Sequence, residues 1–395
     1  MTKKEPPMIS AKAKLFTESV IRQMTHLCHQ HDAINLAQGY PDFEVQSELK
    51  QAAIQAIDAG HNQYGLTWGS QTFQQAIARK MTEFNHIPTD PEKNVTVTCG
   101  ATEAMMATML AIINLGDEVI IFEPFYENYG PDTIISGAKP IFVPLRPQQQ
   151  PDGSWMFAYD ADELRTAFNA HTKAIIINSP NNPLGKVFTQ DELQFIANLC
   201  VEFDCLAVTD EIYERILYDN RSHISIGSFP EMRDRTVTIC GLSKTYSVTG
   251  WRVAYAVAPE YLTNAIRKMH DFLTVAAPAP FQEAGVVALS LKQKYYDNLA
   301  AMYERKRCLL LDILTQAGFQ CYVPEGAYYI MTDISNFGFS DDVAFAHWLV
   351  KEIGVGVVPG SSFYHRAELG RQQVRFTFSK TDETLRSAGE QLLRI

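Results

Sequence analysis

Two cations, Lys244 and Arg252, stand eight residues apart in the run "CGLSKTYSVTGWR" at 240–252, which holds no acidic residue. An amine beside a fixed guanidinium gives up its proton more readily, and a neutral amine attacks carbonyl carbon. The surrounding hydroxyl-rich loop could hold an anion as well. Four other short apolar runs end in chemistry-bearing residues. "TVTC" leads to Gly100-Ala-Thr102, "VIIF" to Glu123-Pro-Phe-Tyr126, "AIII" to Asn178-Ser-Pro-Asn-Asn-Pro183 and "LAVT" to Asp210-Glu-Ile-Tyr213. If these runs are neighbouring strands, one edge of one sheet collects a carboxylate, a phenol, amides, an aromatic ring and a lysine. Arg375, in "VRFTF", is a charge among apolar neighbours. Burying it without a partner would be costly, so it requires either a salt bridge or a carboxylate ligand.

The elements needed to assemble such an edge are legible. From about 94 to 258, "NVTVT", "EVIIF", "KAIIIN", "CLAVTD", "TVTIC" and "VAYAVA" alternate with helix-length segments. Several are apolar at successive positions, as strands covered on both faces must be. The pattern predicts an α/β fold: a large domain with a mostly parallel sheet flanked by helices, whose ligands bind beyond the carboxyl ends of the strands. Helices are expected from about Thr102 to Ile113 and, with a capping box at Thr189-Gln-Asp-Glu192, from Thr189 to Glu202. Beyond Pro280 the texture changes to a helix from about Phe281 to Leu314, then strands at "AYYIMTD" and "VRFTF", a smaller α+β domain. The expected division is 1–45 as a segment joining the small domain, 46–280 as the large domain and 281–395 as the small one.

Composition narrows the function classes. Of 395 residues 46% are hydrophobic, enough for one large core and a smaller second one. Lys and Arg number 34 against 45 acidic residues, a net charge of −11 that repels nucleic acid and anionic membranes. No apolar run reaches membrane-spanning length, and "MTKKEPPMIS" lacks the apolar stretch of a signal peptide. Seven scattered cysteines without a C-x-x-C pair suggest reduced thiols, and the expected location is cytoplasmic. No metal site is expected.

The set "NLAQGYPDF", "NSPNNPLGKVF", "TDEIY", "SKTY…TGWR" and "VRFTF", in that order over nearly the whole chain, resembles the fold-type I pyridoxal-phosphate enzymes. Within them it is similar to the class I aminotransferases, in particular the methionine, glutamine and kynurenine subgroup. The resemblance implies pyridoxal 5′-phosphate as cofactor and a homodimer with shared active sites. It also implies exchange of an amino group between a neutral, large or aromatic amino acid and a 2-oxo acid. By the same resemblance, Lys244 holds the cofactor aldehyde and moves the substrate proton, and Asp210 pairs with the pyridine nitrogen. Tyr213 and Asn182 bond the ring oxygen, and Tyr126 stacks on the ring with Phe125 as its competitor. Ala101, Thr102, Ser243 and Arg252 receive the phosphate, with Tyr64 reaching it from the neighbouring subunit, and Asn178 belongs to the same cofactor set. Arg375, Asn182 and Gly39 take the substrate carboxylate, and Phe16, Tyr40 and Tyr64 line the side-chain pocket. One position departs from the pattern: Gly241 stands where the family has a serine.

Bland readings exist for each residue alone. Asp210 could cap a helix over "EIYERI", Arg375 could sit in a structural salt bridge, and Lys244 could be a surface lysine. Ser47-Glu-Leu-Lys50 matches the S-x-x-K of acyl-serine enzymes without its companion motifs, and "PLGKVF" only faintly resembles a nucleotide loop. β-Elimination from cysteine conjugates, or a non-catalytic ligand sensor, are the alternatives on the same fold.

Overall fold

A computed structural model describes residues 9–10, 12–150 and 155–395. Its centre is a seven-stranded sheet of β1 (Val95–Thr98), β2 (Glu118–Glu123), β3 (Lys139–Pro144), β4 (Thr172–Asn178), β5 (Leu206–Asp210), β6 (Thr236–Gly241) and β7 (Ala254–Val257). The spatial order is β1-β7-β6-β5-β4-β2-β3. All strands run parallel except β7, which lies antiparallel between β1 and β6. Every residue of β1, β5 and β7 is buried, which is why these strands read as unbroken apolar or Thr-rich runs.

The order brings the chemistry together. β6, β5 and β4 are adjacent, so the ends bearing Lys244, Asp210 and Asn178 point to one edge. β1 enters the helix Ala101–Ile112 through Gly100. The helix Gln190–Glu202 starts from Thr189 with both bonds of the capping box formed.

A second, four-stranded antiparallel sheet holds β8 (Gln320–Tyr322), β9 (Tyr329–Asp333), β10 (Val358–Pro359) and β11 (Gln373–Thr377), in the order β8-β9-β11-β10. The N-terminal segment is tied to this part of the chain. Ile34–Asn35 pairs with Val355–Gly356, Thr377 N donates to Leu36 O, and Asp42 accepts from Thr381 N and Thr384 Oγ1.

One expectation needs correction, and it moves the boundary between the units that we propose. The helix expected from 281 to 314 is two helices, Ala279–Leu289 and Gln293–Gln316, separated at Ser290–Lys292. The first packs on helices Ser47–Asp58 and Gln71–Glu83 of the large unit, so a boundary after 280 cuts an element that belongs to that unit. We place the change of unit in the 290–292 break instead. The apolar face of Ala279–Leu289 is satisfied by the large unit, whereas Gln293–Gln316 packs on β8 and on the C-terminal helix Asp382–Leu392.

Candidate active site

The strand ends open into a cavity of ≈ 400 Å³. Twelve of the residues singled out above line it: Gly39, Ala101, Thr102, Tyr126, Asn178, Asn182, Asp210, Tyr213, Ser243, Lys244, Arg252 and Arg375. Lys244 lies just past β6, where the chain turns after Gly241. Its Nζ is 3.4 Å from Gly39 O and 5.8 Å from the ring centres of both Tyr213 and Tyr328. Burial, then the Arg252 guanidinium and more weakly Arg375, bring its ammonium down to about 8, with Asp210 opposing. The sequence pointed to neighbouring cations for this effect; desolvation comes first.

Asp210 ends β5, and the bond from Ile212 N to its Oδ1 (3.2 Å) closes a local turn rather than a helix. "EIYERI" forms turns and no helix, so Asp210 is not a helix cap. Its Oδ2 accepts from the hydroxyl of Tyr129 at 2.8 Å, while burial raises its carboxyl above the usual range. Tyr213 shares a hydroxyl–hydroxyl bond of 2.9 Å with Tyr329. Asn178 bonds the chain through both of its side-chain polar atoms: Nδ2 donates to Asp210 O (2.9 Å) and Oδ1 accepts from Asn182 N (2.7 Å). It knits two strand ends together at the cavity wall.

At the other end, Ala101 and Thr102 open a helix whose cap position is Gly100, with no capping side chain. Such N–H groups attract anions. Gly100 has φ +88, and a Cβ there would lie 2.1 Å from Arg252 Nη2. Only a glycine lets the guanidinium lie over this helix start, where it is held by bonds to Thr249 O (3.1 Å) and Cys99 O (3.5 Å). Gly241 has a packing cause: a Cβ would meet Ala254 Cβ at 2.7 Å and Cα at 2.9 Å on β7. Ser243 is the buried hydroxyl that remains beside Lys244 on the cavity wall.

Arg375 is fully buried, on β11. Nη1 donates to Asn182 Oδ1 and Nη2 to Ala37 O, each at 2.7 Å, and the guanidinium lies 4.1 Å from the Tyr329 ring centre and 4.8 Å from that of Phe363. Among the described residues it has no carboxylate partner, and its Nε bonds nothing. The salt-bridge reading fails for lack of an anion.

Phe16 and Tyr64 do not line this cavity, and Tyr64 is 87% exposed. Phe125 is buried against Phe142 (5.2 Å between centres), so of the two neighbours it is Tyr126 that lines the cavity. The sequence reading missed Tyr129, Tyr328 and Tyr329. Tyr328 donates to Gly39 O at 2.8 Å, and Tyr329 bridges Tyr213 and Arg375. Tyr129 follows Tyr126 by three residues across a turn, Tyr129 N donating to Tyr126 O (3.1 Å), and opens the next helix. The other two read as ordinary strand aromatics. Of the rival motifs, Ser47 opens a helix and Lys50 pairs with Glu44 at the surface (2.5 Å), whereas Lys186 is buried against Glu192 (2.8 Å). Neither builds a nucleophile or phosphate site.

Residues 31–392 match the family model described as aminotransferase class I and II. This chain belongs to the class I and II aminotransferases. Like them, it is a pyridoxal-phosphate-dependent transferase. The probable N-succinyldiaminopimelate aminotransferase of Mycobacterium tuberculosis is 36% identical over 389 residues, covering 96% of this aminotransferase and 97% of that protein. Methionine aminotransferase of Escherichia coli is 33% identical, with 99% of each chain covered. Human kynurenine–oxoglutarate transaminase 1 is 34% identical, with 94% of each covered. The solved N-succinyldiaminopimelate aminotransferase structure from M. tuberculosis superposes with a TM-score of 0.94 at 35% identity, over 98% of this chain and 99% of that one. The E. coli methionine aminotransferase structure gives 0.92 at 32%, over 99% and 100%. The residues fit the cofactor: an uncapped helix start under Arg252 for the phosphate, a buried carboxylate for a cationic ring nitrogen, and a lysine of lowered proton affinity for the aldehyde.

Proposed function

We propose that this aminotransferase takes its amino group from a neutral, large or aromatic L-amino acid and passes it to a 2-oxo acid. Pyridoxal 5′-phosphate, when bound, supplies an aldehyde for amines and a ring that accepts electrons from Cα. The chain's own residues do the rest. Lys244, once displaced by substrate, is the base that carries the Cα proton, and its value of about 8 suits that work near neutral pH. Asp210, held by Tyr129, keeps the ring nitrogen protonated. Tyr213 and Asn182 serve the ring oxygen, and Tyr126 covers the ring face. Ala101, Thr102, Ser243 and Arg252 take the phosphate.

The observation that carries the reading is Arg375: a buried guanidinium with no carboxylate partner among the described residues, in the same cavity as Lys244. An α-carboxylate is its natural partner, with Asn182 and the Gly39 region completing the contact. Retaining that carboxylate favours transamination over its loss. Tyr126, Ile21 and Tyr329 give the cavity apolar walls, which discriminate weakly among neutral side chains. The relatives named for methionine and kynurenine support such donors.

A second donor class has its own support. Arg22 also lines the cavity and forms no ion pair among the described residues, and the M. tuberculosis relative is named for an acylated diamino diacid with a distal anion. Comparing kcat/KM for methionine, glutamine, phenylalanine, kynurenine, N-succinyldiaminopimelate and aspartate with one oxo acid decides. Methionine, phenylalanine or kynurenine should lead; dominance of N-succinyldiaminopimelate would favour the second donor class, and dominance of it or of aspartate would defeat the neutral-donor reading.

We further propose a homodimer in which Tyr64 serves the partner's phosphate and Phe16 closes the side-chain pocket. Exposure of Tyr64 at 87% and Phe272 at 91% supports a covered face.

A further inference from the structure

Behind the active cavity lies a second polar cluster that transamination does not use. The Glu211 carboxylate receives four donors: Thr209 Oγ1 (3.1 Å) and Ser225 Oγ (2.7 Å) on Oε1, Asn85 Nδ2 (3.1 Å) and His223 Nε2 (2.7 Å) on Oε2. Asn85 Nδ2 also donates to Glu214 Oε2 (2.8 Å), which takes a weak bond from Cys240 Sγ, and Lys80 pairs with the other Glu214 oxygen. Every one of these side chains is buried. Glu211, Glu214 and His223 are close enough to hold a metal ion, but the Lys80 ammonium already supplies the cationic partner of Glu214.

The cluster matters because of where it joins the chain. Residues 209–214 interleave two destinations: Asp210 and Tyr213 line the active cavity, whereas Thr209, Glu211 and Glu214 enter the polar cluster. Past Asp210, which strand pairing with Asn178 and Ile239 still holds, residues 211–214 have neither helix nor ladder. The backbone anchors of the stretch include Ser179 N to Asp210 O (3.3 Å), Glu211 N to Ile239 O (2.8 Å), Glu214 N to Glu211 O (2.9 Å) and Ile216 N to Tyr213 O (2.8 Å). Side chains supply the remaining constraint. A buried carboxylate with four donors is strongly held, and losing one donor leaves charge uncompensated in a dry site.

We infer that Glu211 and His223 are positioning residues, which set the placement of Asp210 and Tyr213 through the intervening backbone. The inference rests on the cofactor-site reading given above. His223 donates its Nε2 proton to Glu211, since a carboxylate only accepts. His223 therefore acts as a donor, and a side chain of similar bulk without one should not replace it.

The test compares His223→Gln, which keeps an N–H donor, with His223→Leu, which keeps bulk alone, in the cofactor-loaded enzyme. Read out are the pH midpoint of the visible absorption band, kcat and KM for the preferred donor, and the thermal midpoint. His223→Leu should shift the absorption midpoint by about half a pH unit or more and lower kcat about tenfold with KM changed far less. His223→Gln should recover most of both. Ser225→Ala, which removes one peripheral donor of Glu211, should shift both in the same direction by less, and serves if His223→Leu fails to fold. The inference is overturned if His223→Leu and His223→Gln behave alike, or if only the thermal midpoint moves while band and kcat stay put. A wild-type enzyme without a visible band would instead strike at the cofactor reading.

Discussion

Replacing Arg375 by Met keeps an unbranched stem, shorter than the arginine, and removes the charge and the donors. In the free enzyme the guanidinium donates to Asn182 Oδ1 and Ala37 O, both at 2.7 Å, and keeps its remaining donor capacity without an anion. A substrate carboxylate bound there gains charge-assisted bonds at a site with no solvent exposure. Losing such a pair costs about 3 kcal/mol or more. At 1.4 kcal/mol per decade that is at least about a hundredfold in kcat/KM. The carboxylate is bound before and during proton transfer, so most of the loss should appear in KM. The variant also strands Asn182 Oδ1 and Ala37 O, costing about 1–3 kcal/mol of stability each, so thermal unfolding must be followed alongside. Steady-state kinetics with the preferred amino acid are paired with single-turnover reaction of its decarboxylated amine. In the wild type the acid should far outpace the amine, and in Arg375→Met that advantage should collapse while the cofactor's visible absorption persists. A variant within fivefold of wild type on the amino acid, with absorption intact, would refute the assignment.

Three further outcomes follow from the same geometry. Asp210→Asn should retain cofactor but slow Cα proton removal by roughly 3 kcal/mol in single turnover, and an unchanged rate would remove Asp210 from the chemistry. Lys244 is lowered to about 8, so below that pH its neutral fraction, and hence its capture of aldehyde in cofactor-free protein, should rise about tenfold per pH unit and then level off. Peptide mapping of borohydride-trapped pyridoxal across pH 6 to 11 reads this directly, and capture still climbing tenfold per unit from pH 9 to 10 would contradict it. Tyr64→Ala and Lys244→Ala subunits, each inactive alone, should regain activity in mixed dimers if Tyr64 serves the partner's site; no recovery in verified mixed dimers would argue against sharing.

Most of the site residues that were legible in sequence stand at or just beyond the end of an apolar or Thr-rich run that reads as a buried strand, while Arg375 stands out as a charge inside one. Asp210, Lys244 and Asn178 stand out by that contrast, and strand adjacency then brings them together. The unread parts depend on contacts between elements far apart in the chain. Tyr329 meets Tyr213 across 116 residues and Tyr328 meets Gly39 across 289, and nothing in the local sequence marks where a tyrosine hydroxyl goes. Gly241 stood out only as a departure from the resembled pattern; its cause is the close approach of β7, an antiparallel insertion that strand patterns alone do not reveal. The break at Ser290–Lys292 was missed because apolar and helix-favouring residues continue on both sides, and packing against different units, not propensity, separates the two helices.

The central claim, that Lys244 is the covalent anchor of the cofactor, is tested most directly by borohydride reduction of the enzyme loaded with pyridoxal 5′-phosphate, followed by proteolysis and mass spectrometry. The account predicts a visible absorption band that reduction abolishes and a single phosphopyridoxyl-modified peptide with the added mass on Lys244, absent from Lys244→Ala. Modification of Lys380 or surface lysines with Lys244 untouched, or an unchanged band and full transaminase activity in Lys244→Ala, would contradict it.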